Sequence, residues 1–444
     1  MTGMDKKQVL KMVEEKKIKF IRLWFTDVLG FLKGFAITAE GLEEAFEEGM
    51  GFDGSSIQGY ARIDESDMLA KPDPSTFAVL PWRPDEGAGV ARMFCDILEP
   101  DGRPYAGDPR WALKRNLKKA ADLGYTFNVG PELEYFYFAS SEGKPVTLDA
   151  GGYFDLTPLD FASDLRRETI MTLESMGIRV EYSHHEVAPS QHEIDLRYMD
   201  GLSMADAAMT YRLVVKEVAM RKGVYATFMP KPLFGQNGSG MHTHQSLFKG
   251  GENAFFDADD KYHLSKTGKA YIAGLLIHAR ETCSVVAQWV NSYKRLVPNY
   301  EAPVYISWAR RNRSTLVRVP MYKPEKASAT RAEFRCPDPA CNPYLAFSVM
   351  LAAGLKGIEE GYVLPDPIEE DIFEMSAEAR AQRGIEALPG SLGEAVAETE
   401  NSALVREALG DHIFEKFIAN KKIEWEQYGV HVSQYEIDKY LPIL

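Results

Sequence analysis

The chain has 444 residues, of which 45% are hydrophobic and 26% charged, and its formal net charge is −14. This length is typical of two or three domains and is sufficient to bury a substantial core. The acidic balance disfavours nucleic acid and anionic membranes as partners, because both repel a negatively charged protein. Anionic substrates would need locally concentrated arginine, lysine or metal.

The sequence also indicates a cytoplasmic protein. Its four cysteines form no CxxC pair, so structural disulfides are not expected and a reducing compartment fits. The first twenty residues are charged and amphipathic, without the apolar core of a secretory signal. The longest apolar run, Tyr344–Leu355, is too short to span a membrane and predicts a buried core helix.

The predicted elements change character at a cluster of glycine and proline in residues 98–110. Before it, short runs of alternating hydrophobicity such as Lys19–Phe25 and Val90–Ile97 are typical of strands. Clusters of glycine and proline mark loops. We therefore expect two domains, spanning residues 1–103 and 104–444.

Two helices of the second part have recognisable ends. Asp108 has the character of an N-cap, Pro109 of a first helical residue and Gly124 of a C-terminal stop. Another helix is predicted from Ser203 to Lys222, closed by Gly223, because its apolar residues recur at helical spacing.

Four short predicted strands of the second part carry polar side chains on one face, since every second residue of a strand points the same way. Two stacked carboxylates ~4 Å apart repel by on the order of 4 kcal/mol at an effective dielectric constant of ~20, so they either extend into water or enclose a cation. The spacing alone leaves both alternatives open. An oxygen-rich site with one imidazole would suit Mg²⁺ or Mn²⁺. The residues that share a face are Glu132 and Glu134; Glu193, Asp195 and Arg197, shortly after Glu186; His242, His244 and Ser246; and Arg331, Glu333 and Arg335.

Six arginines lie near these strands in an otherwise acidic chain. A solvated basic patch is one explanation, and phosphate recognition by guanidinium groups is the other. The sequence has no Walker A motif, so any ATP must bind through a different architecture. The arginines are Arg310, Arg311, Arg313, Arg318, Arg331 and Arg335.

Taken together, these segments resemble type I glutamine synthetases of the short subgroup that is not adenylylated. The resemblance covers nearly the whole chain. It implies an α+β fold, with an N-terminal β-grasp domain and a glutamine synthetase/guanido-kinase-like catalytic domain whose active site is an open β-barrel. Its six motifs are FDGSSIQGYARIDESDM (52–68), GPELEYFYF (130–138), SHHEVAPSQHEID (183–195), KPLFGQNGSGMH (231–242), NSYKRLVPNYEAP (291–303), and NRSTLVRVP continued by RAEFRCPDPACNPYL (312–345).

The resemblance implies an ATP-dependent ligase that joins ammonia to the γ-carboxylate of L-glutamate through γ-glutamyl phosphate, giving L-glutamine, ADP and phosphate. A carboxylate is a poor electrophile until its oxygen becomes a good leaving group, and metals with arginines neutralise the transferred phosphoryl group. The resemblance also implies two to three Mg²⁺ or Mn²⁺ ions per active site. It further implies a dodecamer of two stacked hexamers, with active sites between subunits.

Position by position, the motifs match metal and nucleotide ligands of the family. Glu134, Glu186 and Glu193 match the first metal site. Glu132, His242 and Glu333 match the second, which holds the nucleotide phosphates. The residues expected at ATP are Glu181, Phe228, His244, Ser246, Arg313, Arg318 and Arg331.

The other substrates are assigned in the same way. Asp53, Ser56 and Tyr153 match the ammonium pocket, with Asp53 reaching in from the adjacent subunit. A simpler role for Asp53 is to start its turn through an Asx-type hydrogen bond. Asp53, Glu301 and Arg313 are the expected catalytic residues, and Glu301 matches the flap glutamate that closes the site. The residues expected at glutamate are Asn237, Gly238, Arg295, Glu301 and Arg335.

Three positions bear on regulation and on the flap. Phe373 stands where the adenylylated subgroup has its modified tyrosine, so that modification is chemically impossible here. Arg62 stands where the short subgroup has an arginine associated with glutamine feedback; alternatively it pairs on the surface with Asp64 or Glu65. The flap has Asn299 where the family usually has glycine.

Three other functions compete with glutamine synthesis. A γ-glutamyl ligase of the same family would use a larger amine, such as a polyamine or methylamine, and would need a different ammonium pocket. A metal-dependent hydrolase would bind zinc through the HTH sequence and carboxylates, and would not require ATP. A non-catalytic family member would lack competent side chains at some matched position, which this chain does not.

Overall fold

In the computed structural model, which describes residues 3–55, 57, 67–83, 88–321 and 326–444, the N-terminal part forms a six-stranded sheet. Its elements are α1 (Lys6–Glu15), β1 (Ile18–Thr26), β2 (Leu32–Thr38), α2 (Leu42–Glu48), β3 (Met50–Asp53), β4 (Asp67–Pro72), β5 (Ala78–Val79) and β6 (Gly89–Leu98). The strand order is β2-β1-β6-β4-β3, with β5 beside β6, and β1 runs parallel to β6. The strands predicted at Lys19–Phe25 and Val90–Ile97 are confirmed as parts of β1 and β6.

The second part of the chain forms a ten-stranded sheet that carries the predicted polar faces. Its strands are β7 (Thr126–Phe138), β8 (Val180–His185), β9 (Gln191–Leu196), β10 (Met199–Asp200), β11 (Tyr225–Thr227), β12 (Met241–Lys249), β13 (Glu252–Asn253), β14 (Tyr305–Ala309), β15 (Thr315–Arg318) and β16 (Ala332–Phe334). The order is β14-β15-β16-β12-β7-β9-β8, with β10 and β11 on β7 and β13 on β12. The long strand β7 is thus flanked by the two strands that contribute further acids and histidines.

Helices of the second part pack with this sheet into one large core that extends to Trp24 and Phe94 of the first sheet. Among the helices of the described ranges, none is both long and apolar enough to cross a membrane. All four cysteines are buried and free. The helices are α3 (Pro109–Asp122), α4 (Ser163–Ser175), α5 (Gly201–Arg221), α6 (Lys266–Ile277), α7 (Ala279–Val286), α8 (Ser292–Arg295), α9 (Pro343–Glu360), α10 (Ala377–Gln382), α11 (Leu392–Glu400), α12 (Ala403–Leu409), α13 (Asp411–Gly429) and α14 (Gln434–Tyr440).

Two predicted helices are confirmed. At the start of α3, the Asp108 carboxylate accepts a hydrogen bond from the backbone N–H of Arg110 (2.9 Å), and Pro109 is the first helical residue. Gly124, just beyond its end, has a φ of +84°, which glycine adopts at little steric cost. The apolar run Tyr344–Leu355 lies within α9, whose side chains are mostly buried.

Two other predictions need correction. Helix α5 begins at Gly201 and not at Ser203, because the Asp200 carboxylate caps it by accepting a hydrogen bond from the Ser203 N–H (3.1 Å). Arg197 does not share a strand face with Glu193, since β9 ends one residue earlier. Its guanidinium instead donates to a backbone carbonyl of β8.

A buried arginine joins the N-terminal sheet to helices of the second part. The Arg110 guanidinium donates to Asp206 on α5 (3.0 and 3.1 Å), to Asp96 on β6 (2.5 Å) and to Asp73 beyond β4 (2.7 Å). Tyr344 on α9 donates its hydroxyl to Asp206 as well (2.6 Å). Burial alone would lower the pKa of Arg110, but the surrounding carboxylates hold that pKa well above its usual range. This cation, held between three acids, thus links the N-terminal sheet to helices α3 and α5 of the second part.

Substitution Arg110→Met is expected to lower the free energy of unfolding by about 3–5 kcal/mol, because it leaves buried carboxylates without their cation. Urea denaturation followed by fluorescence measures the change. The matched control is Arg103→Met, which breaks an exposed pair with Asp101 and should leave the midpoint unchanged. Equal midpoints for the two variants would show that the buried network does not stabilise the fold.

Candidate active site

A cavity of about 340 Å³ opens on the polar face of the ten-stranded sheet. Strands β7, β8, β9, β12, β15 and β16 contribute to its lining, together with the loops that follow β8, precede β12 and precede β14. It gathers seventeen residues that the sequence assigned to a site. They are Glu132, Glu134, Tyr153, Glu181, Glu186, Glu193, Asn237, Gly238, His242, His244, Arg295, Glu301, Arg313, Arg318, Arg331, Glu333 and Arg335.

Cross-strand register explains why these side chains meet. Glu132 of β7 lies opposite His242 of β12. Glu134, two residues further along β7, lies opposite Glu193 of β9. Glu333 enters from β16, on the other side of β12. Because side chains alternate along each strand, the polar residues of adjacent strands face the same cavity.

In one group, Glu186 and Glu193 lie beside His184, and the three residues offer ligand atoms within 4.8 Å of one another. His184 Nε2 lies 2.8 Å from Glu186 Oε1 and 3.7 Å from Glu193 Oε2. Glu134 Oε2 accepts hydrogen bonds from the Gln191 amide (2.8 Å) and from a backbone N–H (3.1 Å). Burial and the neighbouring carboxylates raise the pKa of both Glu134 and Glu193 well above its usual range. Acids that repel one another in this way fit a hard divalent cation, whose charge would offset the repulsion.

The second group already contains protein cations. Glu132, His242 and Glu333 each offer a ligand atom, and these atoms lie within 4.8 Å of one another. Burial raises the pKa of Glu333, but the Arg335 guanidinium, 2.6 Å away, acts with His244 and His242 to lower it, and the pKa lies below its usual value. Burial and His244, 2.6 Å away, oppose each other in the same way at Glu132, whose pKa lies well below its usual range. Two carboxylates and one imidazole form a donor set that fits Mg²⁺ or Mn²⁺.

Four of the six predicted arginines line the cavity: Arg313, Arg318, Arg331 and Arg335. Arg318 donates to Glu333 (2.7 Å), and Arg331 Nε donates to His244 Nδ1 (2.9 Å). Arg310 and Arg311 lie outside the cavity lining, and their backbone N–H groups donate to the carboxylate of Glu369. Of the six arginines considered for phosphate recognition, these four are therefore the ones placed to contact a phosphate in the cavity.

The residues expected at glutamate meet at one end of the cavity. Asn237 Nδ2 donates to Glu301 Oε2 (3.3 Å), and Arg335 Nη2 donates to the backbone carbonyl of Glu301 (3.4 Å). Arg295 is buried, and its guanidinium donates to the backbone carbonyls of residues 335–337. In this structure, Arg295 thus also fixes the chain segment that follows β16.

Two residues expected at ATP lie elsewhere. Ser246 lines an adjoining cavity of about 360 Å³, which shares Glu181, His244 and Arg331 with the first. Phe228 lines neither of these cavities. Its buried ring packs against two tyrosines of the core, with ring centroids 5.5 and 5.9 Å apart.

The structure does not bring Asp53 to the cavity of its own chain. This residue ends β3 in the N-terminal sheet, and its carboxylate is exposed. It accepts a hydrogen bond from the Ser55 N–H (2.8 Å), so the Asx-type turn considered from the sequence is present. Ser56 and Arg62 lie outside the described residues.

Several lining residues were missed by the sequence analysis. The two-residue spacing that identified Glu132 and Glu134 also relates Tyr182 and His184 to Glu186, and Gln191 to Glu193, so it could have found them. Tyr300 carries no such signal and is known only from its place beside Glu301. The missed residues are Tyr182, His184, Gln191, Gly240, Tyr300, Ala302 and Pro320.

Two family models match the chain. Residues 17–100 match the beta-Grasp domain of glutamine synthetase, and residues 106–440 match its catalytic domain. The chain belongs to the glutamine synthetase family. The expected family and the expected α+β fold, with a β-grasp domain ahead of the catalytic domain, are therefore confirmed.

Curated relatives named glutamine synthetase are similar over almost their whole length. The relative from Mycolicibacterium smegmatis is 56% identical, over 99% of this chain and 99% of its own. That from Methanosarcina mazei is 54% identical, over 99% and 98%. That from Thermotoga maritima is 51% identical, over 98% of each chain.

Solved structures share the fold as well. One described as a GmaS/ADP complex is 32% identical, with a TM-score of 0.88 and full coverage of both chains. Glutamine synthetase of Plasmodium falciparum has a TM-score of 0.89 at 24% identity, over 99% of each chain. At that identity the second likeness concerns the fold alone.

Substitution Glu193→Ala is expected to abolish activity and to raise the melting temperature slightly in chelator, because it removes a carboxylate repelled by its neighbours. The variant should also lose most of the stabilisation by Mg²⁺. For a cation at 100 times its Kd, that stabilisation is about 2.7 kcal/mol. Thermal unfolding in chelator and in Mg²⁺ measures both effects. Asp122→Ala, which removes an exposed acid paired with Lys118, serves as the control. An unchanged response of Glu193→Ala to Mg²⁺ would contradict the metal assignment.

Proposed function

We propose that the chain ligates ammonia to the γ-carboxylate of L-glutamate at the expense of ATP, giving L-glutamine, ADP and phosphate. The observation that carries the proposal is the convergence of two clusters of glutamates and five arginines on one cavity. Such a site suits phosphoryl transfer, where catalysis is mainly positioning and neutralisation of charge. The high identity to relatives named glutamine synthetase supports the same reaction.

In this proposal, two to three Mg²⁺ or Mn²⁺ ions serve the site. Glu134, Glu186 and Glu193 would hold one, and Glu132, His242 and Glu333 another. When bound, the ions would neutralise the phosphates and polarise the transferred phosphoryl group. The unequal electrostatics of the two groups support this division. In the first, the pKa values of Glu134 and Glu193 are raised, whereas in the second those of Glu132 and Glu333 are lowered by nearby protein cations.

ATP is the proposed co-substrate of this site. Its triphosphate would contact Arg313, Arg318 and Arg331 in the first cavity, and its adenosine would extend past Glu181 into the adjoining cavity at Ser246. The two cavities share His244 and Arg331, which makes such a continuous path possible. For Phe228, nothing in the placement of its ring supports a contact with ATP.

Glutamate is proposed to bind at the end of the cavity formed by Asn237, Gly238, Arg295 and Arg335. Phosphorylation would turn its γ-carboxylate into an acyl phosphate, which ammonia then attacks at the carbonyl carbon with release of phosphate. Glu301 would close this end and keep out water, which competes with ammonia for the same carbon.

The ammonium pocket is proposed to need a second copy of the chain. Asp53 lies away from the cavity of its own chain, while an exposed apolar surface lies beside that cavity at Tyr153. Exposed apolar patches next to a site are typical of protein interfaces. This supports a ring assembly, which we propose to be a dodecamer of two stacked hexamers. Within each chain, we propose that the domain boundary lies between residues 103 and 104. The exposed surface consists of Tyr153, Phe154, Leu156, Leu159 and Phe161.

Amine specificity separates glutamine synthesis from the closest alternative, a γ-glutamyl ligase for larger amines. Phosphate release and amide formation should be measured with glutamate, ATP and Mg²⁺ across ammonia, hydroxylamine, methylamine, ethanolamine and putrescine. We expect turnover with ammonia and hydroxylamine and almost none with the larger amines, because the pocket must replace the water shell of a small cation. A preference for any larger amine would assign the chain to the alternative class of ligase. Turnover without ATP would indicate a hydrolase.

A cytoplasmic location is also part of the proposal. It is supported by the four cysteines, which are buried and free.

Substitution Asp53→Asn distinguishes an ammonium ligand from a turn-forming residue. The amide keeps an acceptor for the Ser55 N–H but removes the charge that would gather ammonium. The KM for ammonia is therefore expected to rise at least about tenfold while the KM for ATP stays constant. Asp101→Asn, at another exposed acid of the N-terminal part, is the control.

Mixed oligomers test the source of Asp53. If neighbouring copies share one site, refolding Asp53→Asn together with Glu193→Ala should regain activity that neither variant has alone under limiting ammonia. Absence of such complementation, with the two variants shown to assemble together, would place Asp53 outside the site.

A further inference from the structure

The flap, residues 297–303 between α8 and β14, has an unusual backbone. Asn299 has a φ of +72° and Glu301 a φ of +55°. Asparagine tolerates this left-handed region, which explains how Asn299 can stand where the family usually has glycine. Glutamate does so less readily. Contacts from outside the flap, such as those of Asn237 and Arg335 with Glu301, favour this conformation.

One such contact comes from a lysine on the loop that precedes β12. Lys231 Nζ lies 3.8 Å from the centroid of the Tyr300 ring and also donates to the backbone carbonyl of Gln236. Within the described ranges, no carboxylate lies within ion-pair distance of this ammonium group. Burial, with a contribution from Arg295, lowers the pKa of Lys231 to about 8. The ammonium is thus partly desolvated, a condition under which a cation–π contact is strongest.

The base of this loop is fixed independently. The Asn291 side-chain amide accepts from the Lys231 N–H (2.7 Å) and donates to the Lys231 carbonyl (3.1 Å). Asn291 immediately precedes α8, from whose end the flap departs. Lys231 is therefore held by its backbone at one side of the flap and reaches across to the flap with its side chain.

The contact lies next to the residue that would close the site. Tyr300 immediately precedes Glu301, whose carboxylate accepts from Asn237 on the same loop as Lys231. The loop thus contacts the flap at two consecutive residues, by a cation–π contact and by a hydrogen bond. Moving the flap away from the cavity would break both.

We propose that Lys231 is a positioning residue that clasps the flap through Tyr300 and so keeps water from the acyl phosphate. The inference rests on the proposed function, since only a reaction with a water-sensitive intermediate needs such a clasp. Lys231 touches no reacting atom in this scheme. Its loss changes the fate of the intermediate and not the ability to form it.

The experiment measures ADP and glutamine formed in the same reaction, at saturating glutamate, ammonia and ATP with Mg²⁺. Wild type is expected to form equal amounts. In Lys231→Met and in Tyr300→Leu, the ratio of ADP to glutamine should rise several-fold, because the open flap admits water. The conservative variants Lys231→Arg and Tyr300→Phe keep a cation and a ring, and should retain the wild-type ratio. Lys249→Met, which removes a cation–π contact with Tyr125 remote from the flap, is the matched control.

The double variant identifies the contact itself. Lys231→Met with Tyr300→Leu should raise the ratio no further than the more severe single variant, because both remove the same interaction. Should Lys231→Met fail to fold, Tyr300→Leu removes the other half of the contact and carries the same test. Wild type that forms no glutamine would overturn the proposed function. Wild type that forms glutamine, with a ratio unchanged in Lys231→Met or Tyr300→Leu, would overturn the clasp alone.

Discussion

Repulsion between carboxylates that the fold places side by side is the constraint on which this site depends. Glu132 and Glu134 point into one cavity because they are two residues apart on β7, and Glu193 joins them because β9 pairs with β7 in that register. A one-residue change of register would turn each of these acids into the core. The hydrogen bonds that define the sheet therefore hold the acids together despite their mutual repulsion. That repulsion favours the binding of a cation in the cavity.

The chain offsets this repulsion unevenly. Around Glu333 it supplies two guanidinium groups, from Arg318 and Arg335, which form ion pairs with that acid and hold it in place before any ligand binds. Around Glu193 it supplies a histidine and further acids. One side of the cavity is consequently preformed by ion pairs, whereas the other is left with an affinity for cations. An asymmetric pair of sites follows from where arginines stand on the neighbouring strands.

Strand periodicity predicted the centre of the site because it depends only on local sequence. Glu132 with Glu134 and His242 with His244 needed no knowledge of the fold beyond alternation. The sequence could not decide whether Asp200 or Ser203 caps α5, because aspartate and serine are both favourable N-cap residues. Nor could spacing exclude Arg311, which lies two residues from Arg313 and yet outside the cavity. The clasp at Lys231 is invisible in sequence because it joins residues 69 positions apart through a ring and an ammonium group.

The Arg110 network, which links the N-terminal sheet to helices of the second part, has a consequence beyond stability. Asp53 lies on β3, which pairs with β4, and the segment after β4 carries Asp73, one of the three acids around Arg110. If each chain contributes Asp53 to the site of its neighbour, the position of that carboxylate thus depends on buried contacts within the contributing chain. In the proposed ring, a substitution that disrupts the Arg110 network of one chain would displace its Asp53 and so impair the cavity of the neighbouring chain. In mixed oligomers, variant chains would then reduce the activity of sites in neighbouring wild-type chains. The effect of the substitution would therefore be dominant.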